Sequence, residues 1–196
     1  MDFPLRCHCG TVQAALAEPQ RAARAVCYCR DCQAFARFLG QTARTLNPYG
    51  GTDIVATSPH RLRFTRGVEA LRCMSLSEKG LLRWYAGCCN TPLANTPRDP
   101  ALPYVGIVHD CLPESAAARD AAFGPARIAL NTASATGPVA ATRFATVAGV
   151  LKIMRNVLAA RLSGKYRDNP FFERDSGRPV VAPDVLTPSQ RRSLYG

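Results

Sequence analysis

The sequence predicts a mainly β fold of the α+β class, stabilised by metal-bound cysteines and followed by a C-terminal amphipathic helix. Three observations predict it. Short segments of the first half alternate with a period of two, cysteines recur in tight groups, and apolar residues after about position 140 recur at helical spacing. With 196 residues and 47% hydrophobic content, the chain is large enough to bury a core.

The alternation of apolar and polar residues predicts short strands, and residue composition predicts one early helix. The predicted strands are Thr11–Leu16, Thr52–Val55, Arg61–Thr65, Leu81–Tyr85 and Arg127–Thr132. The segment DCQAFARFL, Asp31–Leu39, has helical composition and begins inside a cysteine group. A helix N-terminus favours thiolates placed beside it. Asp31 is then either the capping residue of this helix or a group next to the metal.

The densest cysteine group is CYCRDC, in which Cys27, Cys29 and Cys32 have CxCxxC spacing. Three thiolates so close in sequence can bind one zinc ion and leave its fourth position free for water or substrate, as in catalytic zinc sites. Two other interpretations stay open. The group is a structural site with a fourth ligand from elsewhere, or it consists of buried thiols without metal.

A second metal site is predicted from two distant pairs of cysteines. Cys7 and Cys9 belong to a CxCG turn whose glycine permits a positive φ, and Cys88 and Cys89 stand next to each other in YAGCCNTPL. Adjacent residues point in different directions, so whether both Cys88 and Cys89 ligate is left open, as is a role for His8 as a ligand. The two remaining thiols, Cys73 and Cys111, are predicted to lie in the core.

The motifs CHCG, CYCRDC and CCNTPL, in this order, resemble CxCG, CxCxxC and CxxCGTxL of the glutathione-dependent formaldehyde-activating (GFA) and CENP-V-like zinc family. The resemblance covers roughly residues 5–110 and implies an Mss4-like, zinc-stabilised β fold. It implies a structural zinc on Cys7, Cys9 and Cys89 and a catalytic zinc on Cys27, Cys29 and Cys32. Ala86 and Asn90 replace the family's first cysteine and its glycine in the third motif, so Cys88 is expected to substitute as a ligand in a divergent member.

Two functions are expected from these motifs. The resemblance implies a zinc-dependent carbon–sulfur lyase that acts on thiol adducts of small aldehydes, of the glutathione type, with Cys27, Cys29 and Cys32 at its centre. The alternative is a non-catalytic, zinc-stabilised binding module whose basic surface engages an anionic partner. A fourth protein ligand on the CxCxxC group, or no metal there, would remove the catalytic centre.

The net charge is +11, and residues 140–196 carry ten Lys and Arg against four Asp and Glu. This excess favours anionic partners, but no aromatic-interleaved basic motif indicates nucleic acid. No run approaches the roughly 18 apolar residues of a membrane span. Met1–Pro4 lacks the basic and apolar start of a signal peptide, so we expect thiols that hold metal in a reducing cytoplasm.

Residues 1–135 are predicted to form the zinc-binding β domain, and residues 136–196 a helical extension with an irregular tail. The extension contains an apolar stripe at helical spacing: Phe144, Val147, Leu151, Met154, Leu158 and Leu162. We expect this stripe to pack on the zinc domain or on a second copy of the chain, and the second case would make the protein a homo-oligomer. An anionic membrane is the alternative. The tail is expected to attach through Phe171 and Phe172.

Overall fold

The computed structural model describes residues 2–113, 115–140 and 142–195. The strands in this part of the chain are β1 (Phe3–Arg6), β2 (Gln13–Leu16), β3 (Ala23–Cys27), β4 (Thr52–Thr57), β5 (Leu62–Arg66), β6 (Leu71–Ser75), β7 (Leu82–Ala86), β8 (Thr91–Thr96), β9 (Val105–Val108), β10 (Ile128–Leu130) and β11 (Asp184–Val185). The α-helices are α1 (Arg30–Phe38), α2 (Thr42–Thr45), α3 (Ala116–Phe123), α4 (Arg143–Leu162) and α5 (Pro188–Tyr195). The predicted α+β class, mainly β, is confirmed.

The strands form two sheets. Among the described residues, β1, β2 and β5 make an antiparallel sheet of three strands, and the other strands make a mixed sheet of eight in the order β10-β3-β4-β9-β8-β7-β6-β11. Within the larger sheet, β10 runs parallel to β3 and β11 parallel to β6 at the two edges, while the inner neighbours are antiparallel. Strands β6 to β9 follow one another along the chain and pair with their neighbours, whereas β10 and β11 add segments from later in the chain at the two edges of the sheet.

The main core lies between the two sheets, where alternate residues of facing strands meet. Its buried members include Leu5, Ala14, Leu16, Leu62, Val55, Leu71, Cys73, Trp84, Ile107 and Cys111. The indole N–H of Trp84, on β7, donates to Thr96 Oγ1 at 2.9 Å, so this buried ring keeps its hydrogen bond. The prediction that Cys73 and Cys111 are core thiols is confirmed by their burial.

The residues after α4 share this core. Phe171 is fully buried with its ring 4.9 Å from that of Trp84, and Phe172 is buried beside it. Their predicted role as attachment points of the tail is confirmed. The tail is less irregular than expected, because α5 forms within it and packs on α1. A division of the chain near residue 135 stays a prediction.

Helix α1 lies on the opposite face of the large sheet from the main core. Cys73 contributes to the main core, whereas its neighbour Met74 belongs with Phe35 and Leu39 of α1 to a second apolar cluster. Alternate residues of a strand point to opposite faces, which accounts for this division. The helix thus runs across the sheet with its N-terminus at the end of β3, where the cysteine group begins.

Helix α4 forms as predicted, but it packs through the face that the apolar stripe does not occupy. Its buried residues are Gly149, Asn156 and Ala160, whereas Phe144 is 94% exposed and Leu151 64% exposed. The expectation that the stripe packs on its own domain is wrong, and packing on a second copy stays a prediction. No helix in the described ranges is long and apolar enough to cross a membrane.

Candidate metal centres

The first cysteine cluster joins two turns that are far apart in sequence. Cys7 and Cys9 lie in the turn after β1, which Gly10 closes with φ 78° and a hydrogen bond from its N–H to the Cys7 carbonyl at 2.9 Å. Cys88 and Cys89 lie in the turn between β7 and β8. The left-handed Asn90, at φ 53°, ends that turn in a conformation that asparagine tolerates better than most residues.

The four sulfurs of this cluster lie close to the separations that a tetrahedral ion requires. Cys7 Sγ is 3.5 Å from Cys9 Sγ and 3.8 Å from Cys88 Sγ, and Cys9 Sγ is 3.3 Å from Cys88 Sγ. All four sulfurs, including that of Cys89, lie within 4.8 Å of one another. Four sulfurs bound at about 2.3 Å around zinc would be about 3.8 Å apart. The cluster could therefore hold a metal ion with both Cys88 and Cys89 as ligands.

Polar groups around this cluster favour thiolates. The Val12 N–H donates to Cys7 Sγ at 3.2 Å, and the hydroxyl of Thr91 lies 3.0 Å from Cys89 Sγ. Hydrogen bonds from Thr11 lower the pKa of the exposed Cys9 to about 6. These hydrogen bonds favour ionised sulfur at Cys9 and Cys89, whereas burial raises the pKa of Cys7 and raises that of Cys88 to about 12. A bound cation would therefore be needed to ionise all four thiols.

His8 lies between the two cysteines of the first turn, but its imidazole is directed elsewhere. Its Nε2 is 3.9 Å from Oδ1 of the buried Asp110, whose other side-chain oxygen lies 3.7 Å from His109 Nδ1. His8 does not belong to the group of sulfurs that converge within 4.8 Å. Asp110 also accepts a hydrogen bond from the Thr45 hydroxyl at 3.1 Å. The His8 imidazole is thus directed towards a buried carboxylate and not towards the sulfurs.

The second cluster is local in sequence and forms where β3 passes into α1. Cys27 ends β3, Cys29 is the N-cap of α1, and Cys32 lies in its first turn. The Cys32 N–H donates to Cys29 Sγ at 3.4 Å, so a thiol takes the capping role that the sequence suggested for Asp31. The three sulfurs lie within 4.8 Å of one another, with Cys27 and Cys32 buried and Cys29 partly exposed. This trio could also hold a metal ion.

The surroundings of the trio support negative charge. Hydrogen bonds from Cys29 and Cys32 lower the pKa of Cys27 to about 2, and Asn131 donates to Cys27 Sγ at 3.4 Å. In turn, the hydrogen bond with Cys27 raises the pKa of Cys29 and of Cys32. The N-terminus of α1 adds a positive partial charge at the same place. The Cys27 thiol thus ionises readily, and a bound cation would be needed to ionise Cys29 and Cys32 as well.

Arg83 is a residue near the trio that the sequence analysis did not single out. Its side chain is 2% exposed, donates from Nη1 to Asn95 Oδ1 at 3.1 Å and lies 3.7 Å from the Asp31 carboxylate. The charge of Arg83 also acts to lower the pKa of Cys32. An arginine inside the apolar run LLRWYA could have indicated a buried charge, and a buried charge in a strand needs polar partners.

Two further polar residues near the trio were missed by the sequence analysis. Asn131 follows β10 in the left-handed conformation, at φ 55°, and nothing in its local sequence marks it. Burial, together with the charges of Cys32 and Cys27, raises the pKa of Tyr104 to about 12. Its hydroxyl passes over Gly106, where an added Cβ would come within 2.9 Å of it. Tyr104 therefore keeps its proton at neutral pH. A side chain at position 106 would clash with its hydroxyl, and glycine avoids this clash.

In the described parts of the chain, the two clusters differ in ligand number. The first brings four cysteines together, and no fourth His, Cys, Asp or Glu joins Cys27, Cys29 and Cys32. Helix α1 connects them, because it begins at the trio and is followed by Gln41, whose amide donates to the Cys89 carbonyl at 3.4 Å. The trio has the ligand number of a site with a free coordination position.

A cleft of about 1260 Å³ opens next to the trio's helix. Its lining includes four basic residues and an aromatic ring: Arg30, Lys79, Arg191, Arg192 and Tyr195. Arg30, the residue after Cys29, lies 5.0 Å above the Tyr195 ring, and the Tyr195 hydroxyl donates to the Asp31 carboxylate. The lining also contains the carboxylate of Glu78, so the cleft has a net positive charge beside the residues that separate the cysteines of the trio.

A comparison with protein families identifies the family of this chain. Residues 2–183 match the model of DUF6151, described as a family of unknown function. The chain belongs to the DUF6151 family. Both cysteine clusters of this DUF6151 protein lie within residues 2–183, which the family model matches. Helix α5, which lines the cleft, lies beyond them.

Other comparisons add little to the DUF6151 assignment. One solved structure that resembles the chain is the crystal structure of a Rhodobacter sphaeroides protein from a structural genomics programme. It is 20% identical, with a TM-score of 0.41, and the match covers 66% of this chain and all 100% of that one. The search of curated proteins returned no match.

Proposed function

We propose that this DUF6151 protein is a zinc enzyme that acts on thiol adducts of small aldehydes, as a carbon–sulfur lyase of the GFA type on an Mss4-like fold. The observation that carries the proposal is the trio, which places three cysteine sulfurs together at a helix N-terminus with no fourth protein ligand among the described residues. Three protein ligands are the number found in catalytic zinc sites. The order of the three cysteine motifs in the sequence supports the same family.

In this proposal the two clusters have different tasks. Cys7, Cys9, Cys88 and Cys89 would hold a structural zinc, because four sulfurs leave no position for a substrate. Cys27, Cys29 and Cys32 would hold the zinc at which the thiol binds. When bound there, zinc would supply Lewis acidity towards a sulfur or oxygen of the adduct.

The reaction needs few groups from the chain. In the lyase direction the C–S bond of a thiohemiacetal breaks, its electron pair leaves with sulfur, the adjacent hydroxyl loses its proton, and a thiol and an aldehyde result. Arg83 and the α1 N-terminus would offset the negative charge that collects at the trio. Arg30 and Arg191, in the cleft, would attract an anionic thiol.

Cobalt substitution tests whether the trio has a position for a thiol. We expect the cobalt-loaded protein to show thiolate-to-cobalt absorption, and the absorption of one site to shift when glutathione is added. Cys29→Ser should remove the shifting component and keep the other. A spectrum that no thiol alters would count against an open site.

Catalysis is tested separately by the exchange of formaldehyde between free and glutathione-bound forms, followed by NMR. The wild-type zinc protein should accelerate exchange, and Cys29→Ser should abolish the acceleration. A shift in the cobalt spectrum without acceleration would reject the lyase and leave a thiol-binding zinc site.

A second candidate function is a zinc-stabilised binding module in which neither cluster is catalytic. The observation that favours it is the net charge of +11, with a basic and apolar helix on the surface. Loss of a partner from a Cys9→Ser variant, with no catalytic effect of Cys29→Ser, would favour this function over the lyase.

A further inference from the structure

Helix α4 has two faces that could each be buried, and only one is covered by its own domain. The covered face holds Gly149, Asn156 and Ala160. The opposite face carries the large side chains of the apolar stripe, with these exposed fractions: Phe144 94%, Val147 60%, Leu151 64%, Met154 58%, Leu158 58% and Leu162 80%. Six large apolar side chains exposed along one face of a helix indicate an interaction site.

The orientation of α4 is fixed by polar contacts on its covered face. Lys152 donates to the backbone carbonyls of Gln20 and Ala22, and the Asn156 amide donates to the Arg21 carbonyl at 2.9 Å. Gly149 allows close approach, because an added Cβ there would come within 2.2 Å of Ile128. Turning the helix to bury the stripe would break all of these contacts, so the stripe is held outward.

Charge indicates what covers the stripe. Residues 121–167 contain seven Lys and Arg and no Asp or Glu. On a helix of 3.6 residues per turn, Arg155 lies about 60° to one side of the stripe's centre, and Arg143 and Arg161 lie about 60° to the other side. All three arginines are exposed. The charged residues that border the apolar stripe on both sides are therefore all positive.

A second copy of the chain fits this surface poorly. Each copy would bring the same arginines to the interface and no carboxylate from residues 121–167 to pair with them. An anionic lipid surface complements both features, because apolar side chains enter the boundary between headgroups and acyl chains while arginines extend to the phosphates. We propose that α4 is an in-plane membrane-binding helix that attaches this protein to bilayers rich in anionic lipid. This inference does not depend on the chemistry of the trio.

Vesicle sedimentation of the full zinc-loaded chain tests the proposal. The protein should bind vesicles of phosphatidylcholine mixed with phosphatidylglycerol, bind phosphatidylcholine alone much more weakly, and dissociate as salt is raised. The double variant Leu151→Gln with Leu158→Gln should reduce the partition coefficient about tenfold or more. Leu102→Gln, at an apolar residue 46% exposed elsewhere on the surface, is the matched control and should leave it unchanged.

The charged border is tested by Arg155→Gln with Arg161→Gln, which should weaken binding about tenfold. Arg63→Gln with Arg66→Gln removes the same charge from exposed positions of β5 and should have a much smaller effect. Three results would overturn the proposal. They are equal losses in test and control variants, no binding to either vesicle, and a dimer in ultracentrifugation that the Leu151 and Leu158 substitutions dissociate, since a second copy would then cover the stripe.

Discussion

The two cysteine clusters differ in how the chain builds them. The four-sulfur cluster joins turns that are 79 to 81 residues apart, and two of its cysteines, Cys9 and Cys88, are exposed. The trio comes from one strand end and one helix start, and it is mostly buried. A metal in the first cluster would fasten distant segments, whereas a metal in the second would add little to a connection that the backbone already makes. Under the proposed function, this difference assigns stabilisation of the fold to the first cluster and chemistry to the trio.

The largest expected effect is on stability. Cys9→Ser should lower the free energy of unfolding by at least about 3 kcal/mol, because binding energy at a structural zinc site is also folding energy. Cys29→Ser should cost less than about 1 kcal/mol, since serine preserves the N-cap of α1. Thermal melts of both zinc-loaded variants check this. Equal losses in the two variants would remove the distinction between the clusters.

The sequence predicted these clusters well because cysteine spacing is local information. Cys27, Cys29 and Cys32 are brought together by one turn, and CxCG with a second cysteine turn predicted the four-sulfur site. The surroundings were not predictable in the same way. Arg83 is placed by Asn95 and Asp31, which come from other elements, so only the assembled sheet reveals its role.

Helix α4 shows a second limit of sequence reasoning. Its apolar period predicted the helix, but a period identifies a face without saying what covers it. The covered face depends on Gly149, Lys152 and Asn156, which have no apolar pattern and act through the carbonyls of residues 20–22 and through Ile128. Helix α5 was missed for a related reason, because its packing on α1 rather than its composition determines its place.

A second prediction concerns Arg83. Arg83→Met should lower the metal affinity of the trio about tenfold and cost about 2 kcal/mol of stability, because the buried Asn95 loses its hydrogen-bond donor, while Asp31 is 47% exposed and stays solvated. Arg24→Met is the matched control. Arg24 is buried and pairs with Asp53 at 2.7 Å, so its loss should cost similar stability. It should leave metal affinity unchanged, as zinc titrations of the two variants would show. Equal zinc affinities would mean that Arg83 serves the fold alone.

Metal release should separate the clusters by ligand number and proton competition. As pH falls, protons compete with metal for thiolates, so affinity decreases at both sites. The trio should release its metal at the higher pH. It has one ligand fewer, so fewer thiolates hold its metal against protons. Each cluster contains two thiols of raised pKa, Cys7 and Cys88 in the first and Cys29 and Cys32 in the trio, so ligand number decides the difference. Zinc release into a coloured chelator during acidification measures this. Simultaneous loss of both metals would contradict it.

The smallest effect is expected from Asn131→Ala. It removes one hydrogen bond to Cys27 Sγ, which is worth about 1 kcal/mol. In metal-free protein the pKa of Cys27 should rise slightly, and alkylation of this thiolate should decline at low pH. Mass spectrometry of alkylated peptides at a series of pH values would detect the change. An unaltered pH profile would show that Asn131 does not act on the thiolate.

The central claim is that one cluster is closed and the other open, and a crystal structure with anomalous zinc data tests it most directly. The account predicts an ion with four protein sulfurs at about 2.3 Å in the first cluster. It predicts a second ion bound by Cys27, Cys29 and Cys32, whose fourth position holds water or an added thiol. A fourth protein ligand at the trio, or no ion there in protein that holds zinc in the first cluster, would contradict the account.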